Sequence, residues 1–168
     1  MGRFFSLVQI KNNGSREQFL KAFCDVMKKR SLVPCSEKES SVSYILAFSE
    51  SGKWVTLASK EYRDNPKQVK DDAKQTAAEM KTSSFSMDVV DSDWTYIELH
   101  TGADVHDTVM VGRSEFDEEH SPKGRRECWE PILAPGKTWE QISEIWNKNE
   151  VFVEDALYEA ASVLGIEP

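Results

Sequence analysis

The chain has no apolar run approaching the roughly 20 residues that a membrane-spanning helix needs. Its first residues, MGRFFSLVQI, lack the longer apolar stretch and the small-residue cleavage site of a secretory signal. The pattern Met1-Gly2 with Ser6 is formally that of a myristoylated terminus. Phe4, Phe5, Leu7, Val8 and Ile10, however, read as a core strand, so the expected location is the cytoplasm with no membrane association. Positive charge is also scarce: 21 Lys and Arg stand against 29 Asp and Glu, a net charge of −8. Nucleic acids and anionic membranes need an electropositive footprint, and this balance argues against both. The cluster Lys123, Arg125, Arg126 faces the acidic run 115–119 and reads as a solvated loop of mixed charge.

Cysteine is sparse. Cys24, Cys35 and Cys128 are odd in number, widely spaced and form no CxxC, which excludes a zinc knuckle and a thioredoxin-type centre. Nucleophile elbows of the G-x-S-x-G kind are missing, as are G-x-G-x-x-G and P-loop phosphate cradles. No cofactor is expected, and no residue nominates itself as catalytic.

What is present is an ordinary globular composition, 39% hydrophobic and 30% charged. At 168 residues the chain reads as one α+β domain over 1–168, long enough to bury a sizeable core. Residues 3–10 carry apolar side chains in both alternating sets, as a central strand covered on both faces does. Ser15 with Gln18 forms a capping box for a helix over 16–30. Val42, Tyr44, Leu46 and Phe48 alternate as a strand, 50–52 turns, and 54–59 returns. Asn65-Pro66 starts a second helix whose buried stripe, Val69, Ala73, Ala77 and Met80, is rich in small residues. Phe85, Met87 and Val89 alternate with Ser84, Ser86 and Asp88, and Trp94 to His100 alternates likewise. Thr101 to Asp104 reads as a turn and Thr108 to Val111 as a short last strand.

The stretch 113–136 shows no sustained period and is expected to be a long irregular loop, a type that often carries function. A C-terminal helix pair follows over 138–165, opened by the capping box Thr138 and Gln141 and stopped by Gly165. The element order therefore matches a ferredoxin-like βαββαβ core. Its expected sheet order is 4-1-3-2, with two antiparallel strands extending strand four.

The densest polar constellation, Asp88, Asp91, Asp93, His100, Asp104, His106 and Asp107, lies on this meander. Asp91-x-Asp93 offers carboxylate oxygens to a hard divalent cation. His100 and His106 straddle a turn and become zinc-ligand candidates if they are cross-strand neighbours. The opposing reading is plain turn chemistry, which aspartate favours. In the long loop, Trp129 has two roles open to it. It can anchor a protein interface together with the acids Glu127 and Glu118, or pin the loop onto the domain.

Three segments, WVTLASKEY, FSMDVVDSDWTYIELHTGADVHDT and VFVEDALYEAASVLGI, resemble a loose group of small bacterial proteins of unassigned function. In that group an aspartate-serine-aspartate turn is followed by a Gly-Asp-type turn and a final helix ending Leu-Gly-Ile. The resemblance covers about half the chain. It implies a bacterial cytosolic α+β protein and assigns no catalytic residue. Taken together, these features point to a non-catalytic binding protein with a protein partner, of which toxin-neutralising immunity proteins are one acidic, cytosolic type. The alternative is a small-molecule or divalent-metal binder, or an enzyme, using the meander's aspartates and histidines.

Overall fold

The computed structural model describes residues 4–33, 35, 43–102, 104–112, 122–148 and 152–166. Its elements run β1 (Phe5–Lys11), α1 (Arg16–Lys29), β2 (Tyr44–Phe48), β3 (Trp54–Ser59), α2 (Glu61–Asp64), α3 (Pro66–Met80), β4 (Ser83–Val90), β5 (Trp94–Thr101) and β6 (Asp104–Gly112). They continue as α4 (Arg126–Trp129), a 3-10 turn (Glu130–Ile132), α5 (Trp139–Trp146) and α6 (Val153–Leu164). The six strands form one sheet in the order β2-β3-β1-β4-β5-β6, and every neighbouring pair is antiparallel.

Strand β1 sits inside the sheet, and its two apolar sets go to different cores. Val8 and Ile10 join Phe19, Phe23, Val26, Val69 and Ala73 beneath α1 and α3. Phe5 and Leu7 pack on the opposite core, which Phe85, Val89, Ile97 and Leu99 share with Trp129, Trp146, Ala160 and Leu164. Helix α3 lies close on the sheet because Ala73 and Ala77 keep its underside thin. Ser84 can therefore donate a hydrogen bond of 2.6 Å to the Ala73 carbonyl. The polar alternation of β4 is thus covered: Ser84 and Ser86 are buried under a small-residue helix and not exposed to water.

Both capping boxes form, at Ser15 with Gln18 and at Thr138 with Gln141. Gly165 ends α6 at φ 73°, the left-handed conformation glycine adopts without a steric penalty. Strand β6 differs from expectation by starting at Asp104, because backbone pairing to β5 continues through residues whose polarity resembles a turn. The 122–136 part of the expected loop also carries structure. Pro122 accepts a hydrogen bond from the Met110 amide at 2.8 Å, Lys123 bridges to Val109, and α4 follows. This segment covers the outer edge of β6, which protects it from pairing with another chain. Val42 and residues 113–121 lie outside the described residues. No helix among the described residues is long and apolar enough to cross a membrane.

Candidate functional site

The candidate metal ligands are dispersed. Asp91 and Asp93 are exposed in the β4–β5 turn, where the Asp93 amide donates to the Val90 carbonyl at 3.0 Å. Asp91 and Ser92 both take positive φ, 50° and 62°, as in the mirror-image turns that match strand twist. The working part of this turn is Ser92. Its carbonyl accepts from the Val153 amide at 2.9 Å and its hydroxyl donates to Glu154 at 2.6 Å, so it fastens the start of α6. At about 3.3 Å per residue, the run from Asp93 to His100 along β5 separates the two ends by roughly 23 Å.

His100 and His106 do not face each other across the hairpin. A bulge between Leu99 and His100 pairs His100 with Val105 and leaves His106 as the additional residue. His100 is buried, whereas His106 is exposed. Among the described residues no group of three His, Cys, Asp or Glu side chains could hold a metal ion.

Asp107 and Trp129 explain each other. The Asp107 carboxylate is buried and accepts hydrogen bonds from the Trp129 indole at 2.8 Å, the Arg125 amide at 2.7 Å and the Arg125 side chain at 3.1 Å. Trp129 is 0% exposed and packs against Phe85 and Trp146. It pins its segment to the sheet, and its indole is not on the surface a partner meets. Glu127 is exposed beside Arg125, and Glu118 lies outside the described residues.

Among the described residues, a recess on each face of the sheet offers a candidate site. The larger is a groove of about 820 Å3 between α6 and the half of the sheet that α6 leaves open. Phe5, Leu7 and Met87 form its floor, Leu157, Tyr158 and Ala161 its helical wall, and Ala47 and Phe48 its far side. Beyond the groove β2 is bare on this face: Ile45 is 65% exposed, and Tyr158 of α6 is 72% exposed. Polar groups are few. Thr56 donates to Gln9 at 3.1 Å, and Glu154 contributes a carboxylate whose second oxygen has no hydrogen-bond partner among the described residues.

The smaller recess, about 660 Å3, opens on the α3 face at the far end of β4. Asp88 lies in it opposite Ser6 of β1, with Oδ1 buried and without a hydrogen-bond partner among the described residues. Burial pushes its carboxyl above the ordinary aspartate range, while the Ser6 hydroxyl and Lys70 pull it partly back. Lys70 is ion-paired to Glu98 and stands 5.7 Å from the centre of the Tyr96 ring.

A folded-state value above the unfolded one means that stability falls as pH rises through this window, and the cost is fully present at neutral pH. Asp88→Asn is therefore expected to raise neutral-pH stability by about 1 kcal/mol, the size of one relieved buried polar group. The gain should vanish below the ordinary aspartate range, as urea unfolding at the two pH values would show. A loss of stability at neutral pH would mean that the carboxylate is better satisfied than its surroundings indicate.

Sequence periodicity places Asp88 on the face with Ser84 and Ser86, but it does not reveal the lysine or the helix that meets it there. The groove has no sequence signal of its own, since it consists of strand positions that a helix stops short of covering. No family model matches the chain, and no curated protein or solved structure is found to be similar to it.

Proposed function

We propose that this protein works by binding, and that its groove between α6 and the open half of the sheet takes an apolar segment of a protein partner flanked by basic residues. The observation that carries this reading is the groove itself: an apolar trough continuous with a bare stretch of sheet at Ile45 and Ala47. Burying such a surface is the main favourable term in protein association, and exposed apolar patches of this kind mark interaction sites.

Charge supplies the second half of the assignment. Among the described residues Glu154 is the carboxylate that lines the groove, and its helix α6 also carries Asp155 and Glu159, the latter paired with Lys148. A partner segment with lysine or arginine beside its apolar residues complements the acidic start of that helix and is steered toward it. We read the first six major elements as a ferredoxin-like core. The strand order and the placement of α1 and α3 over one face support that assignment. In this reading the α5–α6 pair is an addition that builds the groove on the other face.

Selection of a random peptide display library on the purified chain tests the proposal. Enriched peptides should combine apolar residues with Lys or Arg, and their affinity should fall about tenfold or more for Leu157→Arg, a loss of about 1.4 kcal/mol. Tyr158→Arg, at an exposed position that folding does not depend on, should weaken them in the same direction. Enrichment of acidic peptides, or affinities indifferent to both substitutions, would overturn it.

A further inference from the structure

The recess on the α3 face is independent of the groove, and its lining has a distinct chemistry. Arg63, Lys67 and Lys70 line it, and among the described residues Asp88 is the one carboxylate that does so, although the chain as a whole carries −8. Lys70 is committed to Glu98, whereas Arg63 and Lys67 are exposed and make no ion pair among the described residues. Phe4, Trp94 and Tyr96 line the recess as well. Phe4 is 60% exposed, a position that an aromatic side chain does not hold for the sake of the core. At the base, Asp88 Oδ1 is shielded from water and has no hydrogen-bond partner among the described residues.

Each part selects a different portion of one ligand. Unpaired cations at the rim suit an anionic group, and a phosphate or carboxylate gains charge-assisted hydrogen bonds there. Aromatic faces accept a flat ring by stacking, worth about 1–3 kcal/mol per base in nucleic-acid sites. A buried carboxylate oxygen without a donor rewards an N–H on that ring and rejects an isostere lacking it. A recess of about 660 Å3 falls within the size range of small-molecule sites.

We propose that this recess binds a small planar heteroaromatic anion: the ring lies against Phe4, Trp94 and Tyr96, a ring N–H donates to Asp88, and the anionic group meets Arg63 and Lys67. Nucleoside monophosphates whose base carries a ring N–H and heteroaromatic carboxylates with a ring N–H share this chemistry.

Isothermal titration at low salt with guanosine monophosphate and indole-3-acetate, each an anion with a ring N–H, distinguishes the two sources. Guanosine and inorganic phosphate serve as the half-ligands of the first probe, indole and acetate as those of the second. At least one of the two complete probes should bind, at least tenfold more tightly than either half-ligand. Asp88→Asn should weaken it about tenfold by exchanging the charged acceptor for a neutral amide whose NH2 repels the ring N–H. The double variant Arg63→Met, Lys67→Met should weaken it similarly and flatten its salt dependence. Arg63 and Lys67 lie on the surface, so unchanged melting of that variant verifies the fold. Failure of both complete probes to bind, or equal binding by wild type and variants, would overturn the assignment. Neither outcome bears on peptide binding at the groove on the other face.

Discussion

Trp129→Ala is expected to destabilise the protein by about 3–5 kcal/mol, the cost typical of removing a large aromatic from a closed core. Three losses coincide at this position. The ring is fully buried, its centroid lies 4.7 Å from that of Trp146 and 5.9 Å from that of Phe85, and its N–H satisfies the buried Asp107 carboxylate. The segment 122–129 also covers the edge of β6, so the substitution loosens the protection of that strand as well. For a chain of this size, each kcal/mol moves the melting temperature by roughly 2–4 °C, so a fall of roughly 10 °C is expected in a thermal melt. Trp129→Phe keeps much of the packing but strands Asp107, and should fall between the two. A melting temperature unchanged in Trp129→Ala would mean that the tryptophan is not the anchor described.

The second large effect is expected at Arg30→Met. Arg30 lies at the C-terminal cap of α1, and its guanidinium is ion-paired with Asp72 of α3 and donates to the Tyr44 hydroxyl of β2 at 3.0 Å. Asp72 has a fully buried side chain and also accepts from Tyr62 and Gln68, each at 2.7 Å. One carboxylate therefore ties α1, β2, α2 and α3 together. Burial pushes its carboxyl above the ordinary aspartate range, against the lowering effects of Tyr62, Arg30 and Gln68. Tyr44 beside it is pushed up to about 12, chiefly by burial and then by the Asp72 charge.

Removing the arginine leaves a buried charge short of its compensating partner, which costs about 3–5 kcal/mol in comparable pairs. The pH dependence follows from the sign of the shift. With a folded value above the unfolded one, stability falls as pH rises through the window between them, and loss of Arg30 raises the folded value further. The deficit relative to wild type should therefore be full at neutral pH and shrink as Asp72 becomes protonated on acidification. Adding Asp72→Asn to Arg30→Met should recover much of the loss at neutral pH. Urea unfolding at both pH values measures this, and a deficit that grows on acidification would contradict the assignment.

Much of the architecture is legible in the residues because it rests on periodicity and local caps. The two apolar sets of β1 announce a strand covered on both faces, and the structure puts it inside the sheet with a core on each side. Ser15 and Thr138 mark helix starts because capping chemistry is complete within three residues. The start of β6 was illegible for the opposite reason. Asp104, His106 and Asp107 have the composition of a turn, and only pairing with β5 extends them into a strand. Likewise α4 is four residues long, too short to display a helical period, and its tryptophan is placed by a carboxylate in another strand.

The sites were less legible than the fold. Asp88 is prominent in the sequence, but its significance comes from Ser6 across the sheet and from Lys70 above it. The proposed metal ligands are adjacent in sequence terms and distant in space, because an extended strand carries its ends apart. The groove depends on where α6 stops covering the sheet, a relation between elements that no local pattern encodes.

The most direct measurement of the central claim is a nuclear magnetic resonance titration of the isotope-labelled chain with a peptide selected by display. Signals of Leu7, Thr56, Leu157, Tyr158 and their neighbours should shift together and saturate, while those of Lys70, Asp88 and Tyr96 on the other face stay in place. Shifts centred on the Asp88 recess or scattered over both faces, with the α6 signals unmoved, would contradict binding through the groove.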